Sequence, residues 1–393
     1  MFLFFSYLIF QFQSNRNLNR RKLFMKNERL DIVRFAPRGK DSFYDAVTAN
    51  VGAYFETNHI SPYANGEMWI KTSVILLLYF VPYIFIIAGM GASSLWLFFG
   101  LWFLMGTGMS GIGTSIMHDA NHGAYSANKR LNNFISHIIE AIGGYRVTWR
   151  IQHNILHHTY TNIQGLDEDM DAGILLRFSP YSKKYGIHRY QHIYAWFLYG
   201  LLTLQWATIK DYVLLLHYQK NELLKKQKIS LRKALLQLTG ARIFYYGYLL
   251  VLPFLFSGMS WYFVLIGFCI MHFTAGLLLS CIFQLAHIME TSAFASPVDP
   301  AGKRRMKDTW AVHEVVNTTD FAPDNRILSW FIGGLNFQIE HHLFTGICHV
   351  HYKRIAPIVR STVKEFGLPY HIQPGFFSAL SAHARMLKKL GKQ

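Results

Sequence analysis

Cysteine and acidic side chains are scarce in this chain, and each shortage excludes a class of protein. Only Cys269, Cys281 and Cys348 occur, with no CxxC spacing, so neither a disulfide framework nor a thiolate metal site is indicated. All three read as small buried residues. Charged residues make up 16% of the chain against the usual quarter, while 51% is apolar, which argues against a pair of ordinary soluble domains. With 22 Asp and Glu against 39 Lys and Arg, the net charge is +17. That excess suits anionic lipid headgroups, an acidic redox partner or a phosphate-bearing substrate. Nucleic acid is disfavoured, because the basic residues join no recognition motif. Internal repeats and low-complexity tracts are also lacking. So is a signal peptide: no basic residue precedes the apolar run Met1 to Phe12, and no small-residue cleavage site follows it. The run is too short to cross a bilayer. Residues 1–29 are therefore read as an N-terminal extension, either interfacial or lying upstream of a start at Met25.

Long apolar runs of about 20 residues, the length that crosses a bilayer, alternate with polar stretches that carry nearly all the charge. An all-α integral membrane protein is expected, with spans near 68–89, 95–117, 241–259 and 260–286 arranged as two hairpins. Interfacial helices and a histidine-rich cap on the cytoplasmic side complete it. Arg16, Arg20, Arg21, Lys22, Lys26 and Arg29 place the N-terminus in the cytoplasm, and even parity returns the C-terminus there. The apolar stretch 193–216 is read as interfacial or re-entrant. If it spanned, Lys220, Lys225, Lys226, Lys228, Arg232 and Lys233 would lie outside. Gly100, Gly106, Gly108, Gly111 and Gly113 in the second span are read as helix-packing positions in preference to room for a lipid chain. Residues 30–375 form the membrane domain and 376–393 a basic C-terminal tail.

Three histidine clusters are predicted on one membrane face: His118-Asp-Ala-Asn-His122, His153-Asn-Ile-Leu-His157-His158, and Gln338-Ile-Glu-His341-His342. In a helix, His118 and His122 share a face, as do His153 and His157. Three imidazoles so close repel when protonated, so the neutral, metal-binding state is the sensible one. His287, at the end of the fourth span, lies level with them. His272 lies fifteen residues earlier, about 22 Å away at 1.5 Å per residue, too far to ligate. It reads as a hydrogen-bonded intramembrane histidine. His59, His188, His192, His217, His371 and His383 read as surface or interfacial. His137, His313, His349 and His351 are placed as outer neighbours of the clusters, and Asp167 and Asp169 as carboxylates that fix ligand tautomers. Eight histidines exceed one zinc site, and a nitrogen-rich pair of metals facing lipid suits iron and dioxygen better than hydrolysis. A metal transporter would carry its ligands near the midplane, where only His272 lies.

At these residues the sequence closely resembles the membrane fatty acid desaturases, the histidine-box non-haem di-iron oxygenases, over roughly residues 30–375. The Gln338-Ile-Glu-His-His342 form is similar to the front-end branch, which inserts a double bond between an existing one and the carboxyl end. The resemblance implies two iron ions held by His118, His122, His153, His157, His158, His287, His341 and His342, with dioxygen as co-substrate. Gln338 would stand beside one iron, directly or through water, and Asn336 could hold a water. It also implies a fatty acyl-CoA or acyl-lipid substrate in the bilayer. Thr345 stands where the family often has Pro. No HPGG haem motif occurs, so electrons would come from a separate ferredoxin or cytochrome b5 type donor. A hydroxylase on the same scaffold is the enzymatic alternative.

Overall fold

The computed structural model describes residues 32–39, 42–296 and 304–393. The apolar stretch Met1 to Phe12, the basic residues that follow it, and Lys303 lie outside the described residues. Among those described, four helices are long and apolar enough to cross a membrane: Gly66–Ile87, Leu95–His122, Leu231–Phe256 and Trp261–His287. They make the expected two hairpins.

The first span starts where the Asn65 side chain accepts from the Met68 amide at 3.1 Å, and it ends before Gly89, whose φ of 74° turns the chain back. The second span runs further than expected, through His122, and contains a π-helical turn at Ile112–Ile116. Its glycines are packing positions. A Cβ on Gly106 would lie 2.5 Å from the Met271 carbonyl, and one on Gly108 would lie 2.8 Å from the Tyr79 amide nitrogen. The second span therefore sits in backbone contact with both the first and the fourth, the close approach that small residues permit in lipid.

The third span begins ten residues earlier than its hydropathy suggested. Ser230 caps it by accepting from the Lys233 amide at 3.4 Å, while Ala234 and Leu238 are buried on one face. Arg232 and Lys233 ride on its first turn, which is why an apolarity criterion starts late. The stretch 193–216 is broken into Gln191–Gly200, Leu202–Gln205, Trp206–Lys210 and Asp211–Lys220, with Thr208 outside helical backbone geometry. It is not one of the four long helices, as the interfacial reading required. Ile193, Phe197 and Leu216 face outward, and Gly200 lies under the fourth span, where a Cβ on Gly276 would come within 2.6 Å of its carbonyl.

Two buried polar groups inside the bundle, His272 and Arg242, find partners on neighbouring segments. His272 Nε2 lies 2.6 Å from the Tyr245 hydroxyl and Nδ1 lies 3.0 Å from Thr203 Oγ1. Arg242, buried in the third span, reaches the Asp211 carboxylate at 2.5 Å and the carbonyls of Trp206 at 2.7 Å and Gly144 at 3.2 Å. Asp211 in turn accepts from Thr148 at 2.7 Å, tying this span to the segment that enters the second histidine cluster.

Beyond the spans, a cap is built from Phe43–Thr57, Trp310–Asn317, Gln338–Leu343 and Tyr352–Glu365, with a short parallel pair joining Asp320–Phe321 to Ile372–Gln373. Val47 and Val51 pack with Ile355, Val359 and Val363 in its core. Residues 376–393 are not a tail. Phe376–Lys392 is a helix whose Ala379, Ala382, Met386, Leu387 and Leu390 are buried, leaving its lysines outside. Two histidines read as superficial are buried by the same packing. His383 bonds Tyr199 and the Ile288 carbonyl, each at 2.8 Å, and His188 bonds the Ile174 carbonyl at 2.9 Å.

Removing one partner of a buried ion pair strands the other. Arg242→Met should therefore cost roughly 3–5 kcal/mol, measured as unfolding of the detergent-solubilised protein. An unchanged melting temperature would contradict this account of Arg242.

Candidate metal centre

The local geometry of each cluster explains how widely spaced histidines meet. The first cluster closes the second span directly after the π-helical turn, which shifts the following residues around the helix axis. The second cluster lies inside another π-helical segment, Arg150–His157, closed by the His158 amide donating to the His153 carbonyl. In such a turn residue i+5 stacks over residue i. His158 therefore comes back over His153, with Nε2 atoms 3.2 Å apart, while His157 stacks on His153 at 5.2 Å between ring centroids. An α-helix would have sent His158 aside. The third cluster occupies the short helix Gln338–Leu343. The turn ahead of it presses on the second span: Gly333, at φ 66°, leaves a Cβ position only 2.4 Å from the Thr114 carbonyl.

All eight candidate histidines come together. One group holds His118, His122, His153 and His341, a second His157, His287 and His342, and a third His158, His341 and His342. Within each group the ligand atoms lie within 4.8 Å of one another, so His158 sits between two centres. Seven of the eight are buried and His122 is half-buried. The Nε2 atoms of His122, His157, His341 and His342 are enclosed with no hydrogen-bond partner, as are both ring nitrogens of His287. Buried polar atoms are ordinarily satisfied. A cluster of unpartnered imidazole nitrogens facing one another is the donor set a pair of cations would complete, so these residues fit a two-metal site.

On four of the rings the opposite nitrogen is held. His157 Nδ1 lies 3.1 Å from both oxygens of Asp167, His153 Nδ1 3.2 Å from Asp169, His342 Nδ1 2.7 Å from Glu314, and His341 Nδ1 3.2 Å from the Tyr352 hydroxyl. Such contacts leave Nε2 as the free donor and fix each ring's orientation. Burial, reinforced by the neighbouring imidazoles, holds His158, His341 and His342 well below the usual histidine pKa. Burial likewise takes His153 down to about 3. His157 is also buried, but the carboxylates of Asp167 and Asp169 overcome that and raise it. Most of the cluster is thus neutral at pH 7, with lone pairs available.

Gln338 is buried and donates to the Leu335 carbonyl at 2.8 Å. Asn336 donates to the Ala322 carbonyl at 3.3 Å, while its Oδ1 is enclosed without a partner. Of the four outer histidines, His137 pairs with Glu140 at 2.8 Å on the surface, and His313 and His351 bond the Thr161 and Tyr63 carbonyls. His349 alone bonds a residue adjoining a candidate ligand, Asp119, at 2.8 Å. Sequence reasoning missed Glu314 and Tyr352, which no spacing rule marks, and Trp149, whose ring lies 4.5 Å from that of His153. Trp149 stands at i−4 to His153, a spacing that could have marked it.

Comparison with known proteins agrees with this geometry. The pattern of the family described as fatty acid desaturase matches residues 94–374. The chain is 36% identical to an sn-1 linoleoyl-lipid 6-desaturase of Arthrospira platensis over 88% of this chain and 92% of that protein. It is 33% identical to an sn-1 linoleoyl-lipid 6-desaturase of Synechocystis sp., over 90% and 96%. An acyl-lipid (8-3)-desaturase of Physcomitrium patens is 35% identical over 91% of this chain and 74% of its own length. Four membrane-length helices, a buried histidine cluster at their end and these likenesses converge on one conclusion: the chain belongs to the fatty acid desaturase family.

Proposed function

We propose that this protein is a front-end acyl-lipid desaturase that uses dioxygen and a two-iron centre. The reading is carried by the eight converging imidazoles, which leave unpartnered nitrogens enclosed in the cluster while Nδ1 of His153, His157, His341 and His342 is tied down. His118, His122, His153 and His341 would hold one iron, and His157, His287 and His342 the other, with His158 between them. The irons would supply activation of dioxygen with two delivered electrons. In balance, two adjacent methylenes each lose a hydrogen, a carbon–carbon double bond forms, and dioxygen with two electrons and two protons leaves as two waters.

The chain's own residues do the positioning. Asp167, Asp169 and Glu314 accept Nδ1–H bonds and keep the free nitrogens pointed at the metals. Gln338, tethered to Leu335, stands beside the centre in place of a further imidazole, and the unpartnered Asn336 Oδ1 is a seat for water. The cap over the cluster excludes bulk water from the reacting carbons. The position of the cluster at the end of the spans lets an acyl chain reach it from the bilayer while its headgroup stays at the interface.

The acyl-lipid and front-end assignments rest on the Gln338 form of the third cluster and on the activities for which the relatives are named. The exposed Lys220, Lys225 and Lys226 support a cytoplasmic cap, cytoplasmic termini and an acidic-faced electron donor, a ferredoxin or cytochrome b5, supplied as a separate protein.

Two outcomes test this. In a host fed linoleate, gas chromatography with mass spectrometry should find a new double bond on the carboxyl side of the existing pair, carried in membrane lipid. A hydroxylated chain, or product confined to acyl-CoA, would overturn the corresponding part of the proposal. His157→Ala and His342→Ala should abolish unsaturated product and lower bound iron, whereas Glu314→Gln should weaken iron binding about 10- to 100-fold, measured by iron titration of the purified protein.

A further inference from the structure

The strongest unexplained feature is a buried lysine in the first span. Lys71 lies within the bundle, 1% exposed, where lone charges are costly. Its Nζ approaches His349 Nε2 to 2.7 Å, and it lies 5.5 Å from the centre of the Trp330 ring. His349, 3% exposed, follows the third cluster in sequence. Its Nδ1 lies 2.8 Å from Asp119 Oδ2, and its backbone amide donates to the same oxygen at 3.1 Å. The other carboxylate oxygen, Asp119 Oδ1, faces His118 Nδ1 at 3.7 Å. His118 Nε2 meanwhile points into the cluster, 3.3 Å from His153 Nε2.

This chain of contacts is directional. An ammonium on Lys71 can only donate, so His349 Nε2 must accept and its proton must sit on Nδ1, aimed at Asp119. Asp119 then receives two donors on one oxygen and presents the other to His118. Among the described residues, no other candidate ligand has a carboxylate held in turn by a second histidine with a lysine beyond it. His157, His153 and His342 meet a carboxylate directly on their own side of the cluster, and His341 meets a tyrosine.

We propose that Lys71 and His349 are positioning residues for the first iron of the centre: they lock Asp119, and through it aim His118 Nε2 at the metal. The inference rests on the two-iron reading above. The relay joins three parts of the chain, the first span, the first cluster and the loop after the third cluster. It also balances the Asp119 carboxylate with a cation, so that this corner of the site adds no net charge.

The test separates positioning from folding. In His349→Gln, the side-chain amide can still donate to Asp119 and its oxygen can still accept from Lys71, whereas in His349→Leu the side chain can do neither and only the backbone amide still reaches Asp119. Lys71→Met takes the balancing cation away from buried Asp119, a loss of the same kind as Arg242→Met, so folding is read separately, from the cooperative melting of the metal-free protein. We expect metal-free Lys71→Met to unfold cooperatively at a lower temperature than the wild type, while binding ferrous iron at least about tenfold more weakly at one of two sites and with wild-type affinity at the other. His349→Leu should show the same one-site loss and a changed Mössbauer spectrum for that iron, and His349→Gln should restore both to near wild type.

Iron titration of the purified full-length protein reads all of this without turnover. Wild type holding no iron would overturn the metal reading, and this inference with it. Wild type holding two irons, with Lys71→Met equally tight at both sites or His349→Gln as impaired as His349→Leu, would overturn the positioning role alone.

Discussion

The constraint on which the structure depends is the enclosure of many imidazole nitrogens with nothing of the protein's own to bond. Such atoms cannot be hidden cheaply, since each buried donor or acceptor without a partner costs about 1–3 kcal/mol. The fold meets that cost with rigidity elsewhere. Nδ1 of His157, His153 and His342 is tied to a carboxylate, and those carboxylates are themselves anchored. Asp167 accepts from the Asn162 amide at 2.9 Å, and Glu314 accepts from Thr161 at 2.7 Å. The rings cannot turn their free nitrogens away to find other partners. The site is therefore preorganised for cations before any arrive.

Convergence of three clusters and His287 requires the spans to be locked in height and rotation, because an error of one residue moves a ligand by 1.5 Å along its helix. Glycine contacts set that lock. Gly106 lies against Met271, and Gly108 against Tyr79, with no room for a side chain in either place. The π-helical turns supply the remaining rotation. One precedes His118 and one contains His153 and His157, and in both cases a wide turn brings side chains round that α-helical spacing would scatter. The Arg242, Asp211 and Thr148 series then fixes the entry to the second cluster against the third span.

The spans and the eight histidines were legible in the sequence for a physical reason. Apolar runs and clustered imidazoles are composition signals that survive without knowledge of the fold. Boundaries were less legible, since the third span starts among charged residues at Arg232 and Lys233, which its own amphipathic face and Ser230 cap accommodate. The buried states of His188 and His383 were not visible, because nothing local tells whether a terminal helix docks. Glu314 and Tyr352 were hidden for the same reason. Each lies at an unremarkable spacing and acquires its partner only when the cap closes over the spans. Asp167 and Asp169 were within reach of sequence reasoning because they follow the second cluster closely and short loops keep them near it.

A neutral ligand set has a consequence for charge. Imidazoles donate lone pairs but would leave the full charge of two bound metal ions inside a dry site, where an uncompensated charge is very costly. Compensation must come from one step further out, and that is where Asp119, Asp167, Asp169 and Glu314 stand. On the proposed function, their placement behind the ligands would keep the metal faces open to dioxygen and an acyl chain, which carboxylates bound directly would partly occupy. It also spreads the negative charge around the cluster, with Asp167 and Asp169 together behind His157, Asp119 beside His118 and Glu314 behind His342. Four of the chain's 22 acidic residues thus stand directly behind the histidines, a charge placement that the low overall acidic content does not reveal.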